Sequence, residues 1–319
     1  MDGGLYLPPV VDPATAPFLA DALAGLTAER KHLSPKWLYD RRGSELFEQI
    51  TTLPEYYVTR TEAAILRENA ARLAKLVPPG GALVELGSGA SVKTRTLLSA
   101  GGHFGAYVPI DISADFLEAT ADGLRLRYPG LSVRPVVADF TEPVRLPGPI
   151  SRMRKVAFFP GSTIGNLPPE MAVDLLAGVR AWPKMEALVL GVDLVKDPAD
   201  LVAAYDDAQG VTAAFILNIL KRLNDEVHAD FDLEAFDYRA RWCPEAAQVE
   251  MGLISRIDQV AQVGGRPVFF GRGEDIHVST SRKYTADSLA ALARAGSWRV
   301  DETMTDAAER FAVAVLRPD

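Results

Sequence analysis

The stretch that most constrains the fold of this chain is an apolar run that ends in an acidic residue and breaks at once into a turn of small residues, LVELGSGAS at residues 83–91. Residues 93–98 then have the pattern of a helix start, so the unit is a strand, a tight glycine turn and a helix. Gly87 and Gly89 carry no Cβ, so a ligand can approach the main chain and its N–H groups closely. The unit predicts a binding turn for a nucleotide-type cofactor.

Two classes of cofactor use such a turn. The dinucleotide fingerprint requires a third small residue, and Val92 occupies that position, which disfavours a dinucleotide. The remaining pattern, Glu85-x-Gly87-x-Gly89, resembles the first motif of S-adenosylmethionine (SAM) methyltransferases. Two glycines also occur in strand-to-helix turns for purely conformational reasons, so this stretch by itself leaves both interpretations open.

The next two predicted strands each end in a carboxylate. The first ends at Asp111, 24 residues after Gly87, about the separation at which an acidic residue holds ribose hydroxyls. Residues 132–140 are predicted as one further strand that ends at Asp139 and Phe140. A carboxylate there can accept a hydrogen bond from an adenine amino group, and the ring can flank the base. The alternative for either aspartate is a turn or a helix cap.

Composition and charge exclude several classes of function. The net charge of −8 disfavours broad binding of nucleic-acid phosphates. Cys243 is the one cysteine, and the four histidines show no metal-ligand spacing, so we expect no disulfide and no metal. No apolar run approaches the ~18 residues of a membrane span. We expect a cytoplasmic monomer whose partner is a small molecule, rather than a nucleic acid or a membrane.

Strand and helix patterns alternate from about residue 83 to residue 197, which predicts a parallel sheet with ligands at the carboxyl ends of its strands. Residues 199–229 then resemble two helices, and residues 231–283 contain period-two runs typical of strands. We predict an α/β fold with a seven-stranded Rossmann-like sheet of the SAM methyltransferase type and a second, α+β substrate domain. The sheet domain would contain residues 61–197 and 285–319, and the substrate domain residues 1–60 and the insertion 198–284.

The segment before the first strand also carries local signals. Residues 44–50 are predicted as a short helix, which the Leu53-Pro54 pair terminates. Residues 55–60 are predicted as extended chain, and a charged helix is predicted to begin at Thr61.

Longer motifs extend these observations over nearly the whole chain. They are PKWLYD at 35–40, LPEYYVTRTE at 53–62, GSTIGN at 161–166, DLVKD at 193–197, AYDD at 204–207, GVTAAF at 210–215 and SRKY at 281–284. On these motifs, the chain resembles the ergothioneine-pathway L-histidine Nα-methyltransferases.

The resemblance implies three successive methyl transfers from SAM to the α-amine of histidine, which give the betaine hercynine. It also implies a set of SAM contacts, namely Gly87, Lys93, Asp111, Asp139 and Phe140. Lys93 would pair with the carboxylate of the cofactor; its alternative is a solvated helix lysine.

The resemblance likewise implies that Tyr56, Asn166 and Tyr205 hold the amino and carboxylate groups of the substrate. The chemistry requires a neutral amine held in line with the S–CH₃ bond and shielded from water. Tyrosine faces suit an amine that becomes a permanent cation, so Tyr39 and Tyr56 are the candidates for this role. Their alternative is a core or lid aromatic, and that of Asn166 is a turn asparagine.

One position departs from the family pattern. Histidine-specific members typically read T-E-x-S where this chain has Val278-Ser279-Thr280-Ser281, so Ser281 remains and Ser279 replaces the imidazole-binding glutamate. A charge-assisted acceptor is lost, and Met251, at another substrate-binding position, adapts to different shapes. Either histidine still binds, through Ser279, Ser281 and water, or the pocket takes another aromatic amino acid such as tryptophan.

Two other classes of protein fit these motifs less well. A SAM-binding protein without transfer activity predicts damage at Tyr56, Asn166 or Tyr205, and none is present. A dehydrogenase is disfavoured by Val92.

Overall fold

The computed structural model describes residues 15–89 and 91–319. The chain folds into two compact units. The first unit ends its N-terminal segment at Tyr56 and includes Asp197–Thr280, and the second unit contains Tyr57–Lys196 and Ser281–Asp319. Each unit is therefore assembled from segments that are distant in sequence.

The regular elements follow one another in chain order. The helices are α1 (Ala16–Leu26), α2 (Arg41–Ile50), α3 (Tyr57–Ala74), α4 (Val92–Ala100), α5 (Ala114–Arg127), α6 (Gly148–Ser151), α7 (Pro169–Arg180), α8 (Pro198–Ala203), α9 (Val211–Val227) and α10 (Ala286–Ala295). The strands are β1 (Ala82–Leu86), β2 (Ala106–Asp111), β3 (Ser132–Val133), β4 (Val136–Val137), β5 (Lys155–Phe159), β6 (Met185–Asp193), β7 (Phe236–Cys243), β8 (Gln248–Ser255), β9 (Gln259–Val263), β10 (Arg266–Phe270), β11 (Asp275–Arg282), β12 (Trp298–Thr305) and β13 (Phe311–Pro318). Short 3-10 helices form at Pro35–Leu38, Thr163–Asn166 and Leu233–Ala235.

A mainly parallel sheet forms the centre of the second unit. Its order is β12-β13-β6-β5-β1-β2-β3, and β4 also pairs with β2. The strands from β6 to β3 run parallel, whereas β13 is antiparallel to both β6 and β12. Strands β1 and β5 are buried along their whole length, as expected for a sheet covered on both faces. The predicted α/β class with a Rossmann-like sheet is confirmed.

The strand predicted over residues 132–140 is wrong in one respect, because it is broken into β3 and β4. The N–H of Arg134 donates to the Tyr107 carbonyl at 2.9 Å, but Pro135 has no N–H to continue the ladder. Pairing resumes at Val136, beside Ile110 of β2. The sheet therefore has eight strands rather than seven, and Asp139 lies beyond the end of β4.

The extended chain predicted for residues 55–60 is also wrong, because α3 begins at Tyr57. Tyr57 and Val58 are buried on this helix, at 4% and 1% exposure. Aromatic and β-branched residues favour strands by intrinsic preference, but tertiary packing overrides that preference here. The short helix predicted at residues 44–50 is confirmed, and it begins earlier because Asp40 caps it by accepting from the N–H of Gly43 at 2.7 Å.

The first unit combines helices with two small sheets. Helices α8 and α9 confirm the two helices predicted over residues 199–229, and β7 to β11 confirm the strands predicted after them. These strands form a three-stranded sheet of order β11-β8-β7 and a separate β9–β10 hairpin. In the described part of the chain, no helix combines the length and the apolar character that a membrane span requires.

Candidate active site

The glycine turn after β1 adopts the backbone conformation that its composition predicts. Gly87 and Gly89 have φ angles of +64° and +46°, in the left-handed region that favours glycine. The N–H groups of Gly87 and Ser88 donate to the Ile110 carbonyl at 2.9 and 3.2 Å, which joins the turn to β2. A Cβ at Gly87 would lie 3.3 Å from the ring of Phe140, so the fold brings these two predicted SAM contacts together.

Asp111 lies at the end of β2 and binds the same turn. One of its carboxylate oxygens accepts from the N–H of Gly89 at 2.9 Å, and the other accepts from the N–H of Ser113 at 3.1 Å. The carboxylate of Asp139 accepts from both the N–H and the hydroxyl of Thr141, at 2.9 and 2.6 Å. Both aspartates therefore stabilise turns through hydrogen bonds, which is the alternative role that the sequence allowed for them. Both also lie at the carboxyl edge of the sheet, where a cofactor would bind.

The turn also has the properties of a cofactor cradle. Among the described residues, the Ser88 hydroxyl oxygen is buried and has no hydrogen-bond partner. Buried polar groups are nearly always satisfied, so an orphan in such a turn indicates a ligand or ordered water. Together with the close approach of Gly87 to the Phe140 ring, this unpartnered hydroxyl fits the nucleoside of SAM.

Lys93 is not a solvated helix lysine. Its ammonium pairs with the carboxylate of Glu62 at 2.5 Å, and the Glu62 side chain is fully buried. Both oxygens of Glu62 also accept from the N–H of Gly161, at 3.0 and 2.9 Å. A side chain at Gly191 in β6 would overlap Glu62, since a Cβ there would lie 2.0 Å from Oε1. The sequence analysis missed Glu62; its signal is a charged residue on the buried face of α3.

A second buried acid lies beneath the glycine turn. Glu85 accepts a hydrogen bond from the Tyr107 hydroxyl, which itself lies 2.9 Å from the hydroxyl of Ser91. Burial raises the pKa of Glu85 from 4.5 to about 8, although Thr94, Tyr107 and Lys93 each oppose the shift. Glu85 is therefore mostly protonated at neutral pH. The acidic residue of the glycine motif thus does not present a negative charge to the cofactor.

Asp193, at the end of β6, is the centre of a buried ionic cluster. Its carboxylate lies 2.7 Å from the ammonium groups of both Lys196 and Lys283, and it accepts from the Tyr57 hydroxyl at 2.9 and 3.0 Å. Its N–H donates to the Ser162 hydroxyl at 2.9 Å. Burial lowers the pKa of Lys196 and of Lys283, and Asp193 opposes this shift in both. None of Tyr57, Asp193 and Lys283 was selected from sequence.

Asn166 and Ser281 lie in the same unit as this cluster. Ser162, which Asp193 holds, directly precedes the 3-10 helix that ends at Asn166, and the Asn166 side chain is half-buried. Ser281 is 3% exposed, and its hydroxyl oxygen accepts from the Lys283 ammonium at 2.8 Å. Asp193 therefore links both segments, because its N–H binds the residue before the helix that carries Asn166, and its carboxylate binds the lysine that contacts Ser281.

The first unit brings two of the predicted tyrosines together. The rings of Tyr56 and Tyr205 meet edge to face, with centroids 5.8 Å apart and an interplanar angle of 89°. Tyr238 donates to the Tyr205 carbonyl at 2.5 Å, and Asp207 accepts from the N–H groups of Val211 and Thr212 at the start of α9. The segment around Tyr205 is thereby fixed between β7 and α9.

The remaining predicted residues lie elsewhere in the first unit. Tyr39 is 38% exposed, and its ring contacts Phe47 and Phe215 edge to face at 5.7 and 5.5 Å. Met251 of β8 and Ser279 of β11 are both buried, on neighbouring strands of one sheet. The five predicted SAM contacts, with Asn166 and Ser281, belong to the second unit, and the other predicted substrate residues belong to the first.

Three features together indicate a SAM-dependent methyltransferase. The sheet is mainly parallel, with the last strand of the chain antiparallel to its neighbours; a glycine turn follows β1; and carboxylates lie at the end of β2 and just beyond β4. The chain belongs to the histidine-specific, SAM-dependent methyltransferase family, whose sequence model matches residues 18–318.

Two relatives match along almost their whole length. The histidine N-alpha-methyltransferase of Mycolicibacterium smegmatis is 42% identical over 314 residues, which cover 95% of this chain and 96% of the relative. The enzyme of the same name from Mycobacterium tuberculosis is 43% identical and covers 92% and 93% of the two chains. Ergothioneine biosynthesis protein 1 of Neurospora crassa is 33% identical over 59% of this chain and 22% of its own length.

Proposed function

We propose that this protein is a SAM-dependent histidine Nα-methyltransferase that converts L-histidine into its trimethyl betaine, hercynine, for ergothioneine biosynthesis. The observation that carries the proposal is the end-to-end similarity to two histidine N-alpha-methyltransferases at 42% and 43% identity. The names of these relatives favour histidine over tryptophan or another aromatic amino acid.

We assign cofactor binding to the second unit and amino-acid recognition mainly to the first. Gly87, Asp111 and Phe140 would bind the nucleoside of SAM, since they converge on the turn after β1. Asp139 would bind the base, and Lys93 the carboxylate of the cofactor. The pair with Glu62 supports this role for Lys93, because an anchored ammonium retains two further N–H donors for a ligand. When bound, SAM supplies a methyl group already activated by its sulfonium.

The proposed amino-acid clamp consists of Tyr56, Asn166 and Tyr205. The perpendicular contact of the two tyrosine rings supports a rigid clamp, because each ring is over 90% buried and loses little further freedom on binding. Asn166 offers both an acceptor and two donors, so it can orient a neutral amine and contact the carboxylate beside it. The chain's own contribution to the reaction is to align this amine and to exclude water.

Aromatic faces would stabilise the product as its charge becomes permanent. A trimethylated amine has no proton to donate, so carbonyl and carboxylate acceptors lose their hydrogen bond to it, whereas a ring face still attracts it. Tyr39 and Tyr56 are our candidates for this contact. On the side-chain end of the substrate, Met251, Ser279 and Ser281 would contact the imidazole.

The first experiment is mass spectrometry of reactions that contain SAM and each of the twenty amino acids in turn. We expect mass gains of one, two and three methyl groups on histidine. Efficient methylation of tryptophan or tyrosine with histidine inert would overturn the assignment of substrate while leaving the cofactor assignments in place.

A variant tests the clamp directly. Asn166→Ala should abolish methyl transfer and leave SAM affinity, measured by calorimetry, within about twofold, because its side chain is assigned to the substrate alone. Asn69→Ala is the matched control, since the Asn69 amide only donates within α3, to the Ile65 carbonyl. An equal loss of SAM binding in Asn166→Ala would mean that Asn166 belongs to the cofactor site.

A further inference from the structure

Glu62 is an acidic side chain of helix α3 with no solvent exposure, and its carboxylate joins two other segments of the second unit. One of its oxygens lies 2.5 Å from the ammonium nitrogen of Lys93 in α4. Both oxygens accept from the N–H of Gly161, in the loop after β5, at 3.0 and 2.9 Å. The carboxylate therefore connects the start of α4, which follows the glycine turn, to the loop at the end of β5.

The backbone around this pair is closely packed. A Cβ at Gly191 of β6 would lie 2.0 Å from Oε1 of Glu62, and a Cβ at Gly161 would lie 3.5 Å from the ammonium nitrogen of Lys93. The carboxylate and the ammonium therefore occupy space that side chains at these two glycines would take. Neither group has much room for another position, because protein interiors are packed as densely as organic crystals.

Lys93 needs a restraint at this place in the fold. It lies in the first turn of α4, where the helix dipole disfavours a cation, and a lysine side chain is among the most flexible. Glu62 opposes both effects, because its negative charge compensates for the dipole and its position holds the ammonium. The Lys93 side chain keeps 17% exposure, so a ligand still has access to it.

Stability alone is a weak explanation for this pair. The cost of removing two charges from water largely offsets their attraction in the interior, so a buried ion pair adds little net stability. A ligand, in contrast, gains from the restraint, because it binds an ammonium whose side-chain freedom was already lost on folding. The pair is therefore better explained by a ligand than by stability.

We propose that Glu62 is a positioning residue for the cofactor, which acts through Lys93 by holding its ammonium ready for the carboxylate of SAM. This inference rests on the proposed function, in which Lys93 binds that carboxylate. Glu62 itself would not contact the cofactor. Its removal should therefore weaken the binding of those ligands alone that carry the carboxylate.

Two ligands that differ in this group test the inference by calorimetry on the purified protein. S-adenosylhomocysteine has the amino-acid end of SAM with its carboxylate, whereas 5′-methylthioadenosine keeps the nucleoside and the thioether and lacks that end. Lys93→Met should raise the Kd of S-adenosylhomocysteine about tenfold or more, since a charge-assisted hydrogen bond is lost. Glu62→Met, which keeps the length of the side chain and removes the acceptor, should raise it roughly three- to tenfold. In both variants the Kd of 5′-methylthioadenosine should stay within about twofold, because it makes no contact that depends on the ammonium.

The double variant shows whether Glu62 acts through Lys93. Once Lys93→Met has removed the ammonium, Glu62→Met should change the Kd of S-adenosylhomocysteine by less than about twofold, because the two substitutions then remove one interaction. Glu186→Met is the matched control. Glu186 also pairs with a cation of the second unit, Arg154 at 2.6 Å, and its loss should leave the affinity for both ligands unchanged.

Glu62→Asp replaces Glu62→Met if that protein does not fold. Aspartate keeps the charge but is one methylene shorter, so its carboxylate is withdrawn from the ammonium and from the N–H of Gly161. A loss of affinity confined to S-adenosylhomocysteine is again expected, of about two- to fivefold.

Three results in the Glu62 variants would overturn the inference and leave the proposed function in place. An equal loss of affinity for both ligands would show that Glu62 only stabilises the fold around the turn. An unchanged or lower Kd of S-adenosylhomocysteine would show that Lys93 needs no positioning by Glu62. A loss that persists in full in the Lys93→Met background would show that Glu62 acts by another route. An unchanged Kd of S-adenosylhomocysteine in Lys93→Met itself would instead remove Lys93 from the proposed cofactor site, and this inference with it.

Discussion

The two units of the molecule stabilise their candidate residues by different means. The second unit buries acidic and basic side chains, among them Glu62, Glu85, Asp193 and Lys283, each at most 1% exposed. The first unit holds its tyrosines through ring contacts, such as Tyr56 with Tyr205 and Tyr39 with Phe47 and Phe215. Within residues 15–89 and 91–319, its buried charged residues are Asp207 and Glu250 alone.

This difference has energetic consequences. Removal of one member of a buried ionic cluster leaves an uncompensated charge in the interior, which is costly. A ring contact contributes about 0.5–1.5 kcal/mol beyond the area it buries, and its loss leaves no unpaired charge in the interior. We therefore expect substitutions in the second unit to affect stability first, and those at the tyrosines of the first unit to affect substrate binding first.

The largest effect is expected for Asp193→Ala, which leaves the buried Lys283 and the partly buried Lys196 without their shared carboxylate. The free energy of unfolding, measured by urea denaturation, should fall by roughly 3–5 kcal/mol. Asp301→Ala is the matched control, because Asp301 pairs with Arg299 and Arg317 at 40% exposure and should cost less than about 1 kcal/mol. Equal costs for the two aspartates would contradict the special role of buried charge in the second unit.

The next effect concerns pH and Glu85. Between its ordinary pKa of 4.5 and the raised pKa of about 8, folded Glu85 keeps a proton that the unfolded chain has released. The free energy of unfolding should therefore fall as pH rises, by at most about 1.4 kcal/mol per pH unit, and level off above about pH 8.

Glu85→Gln isolates this contribution, because glutamine does not titrate. Urea denaturation of both proteins at pH 6, 7 and 8 should show the unmodified protein losing stability relative to Glu85→Gln at each step. A constant difference across this range would mean that Glu85 is already ionised in the folded protein at pH 6.

A smaller effect is expected in the first unit for Tyr205→Phe. The ring stays against Tyr56, so stability should change by less than about 1 kcal/mol, whereas loss of the hydroxyl should raise the KM for histidine about tenfold. Tyr128→Phe, which removes a hydroxyl from the second unit that contacts Ser99, should leave KM unchanged. A Tyr205→Phe protein with a normal KM and a lowered free energy of unfolding would contradict the expectation that the tyrosines of the first unit affect substrate binding before stability.

The smallest effect is expected for Tyr39→Phe. If the ring face rather than the hydroxyl stabilises the methylated cation, kcat and KM should stay within about twofold, since phenylalanine keeps the ring contacts with Phe47 and Phe215. Tyr39→Leu should lower kcat/KM by about two- to fivefold in the same steady-state assay, because it removes the π-system. A larger loss in Tyr39→Phe would assign the role to the hydroxyl.

Local patterns predicted much of the fold. The turn at Gly87 and Gly89 has the positive φ angles that its glycines permit, and the helices after residue 198 follow their apolar periodicity. The two local errors have different causes. Pro135 breaks a strand because it has no N–H to continue the ladder, which is a local property. Tyr57 belongs to a helix in which it is buried, and its hydroxyl binds Asp193, 136 residues away.

The sequence by itself determined the class of fold, the glycine turn, the acidic strand ends and the family, because these depend on the spacing of neighbouring residues and on long motifs. Only the tertiary structure decided that Lys93 pairs with Glu62, that Glu85 is protonated and that the ammonium of Lys283 donates to Ser281. The pKa and pairing of a charged group depend on how deeply it is buried and on which charges surround it. Those partners come from distant segments, as Glu62 and Gly161 illustrate at 99 residues apart.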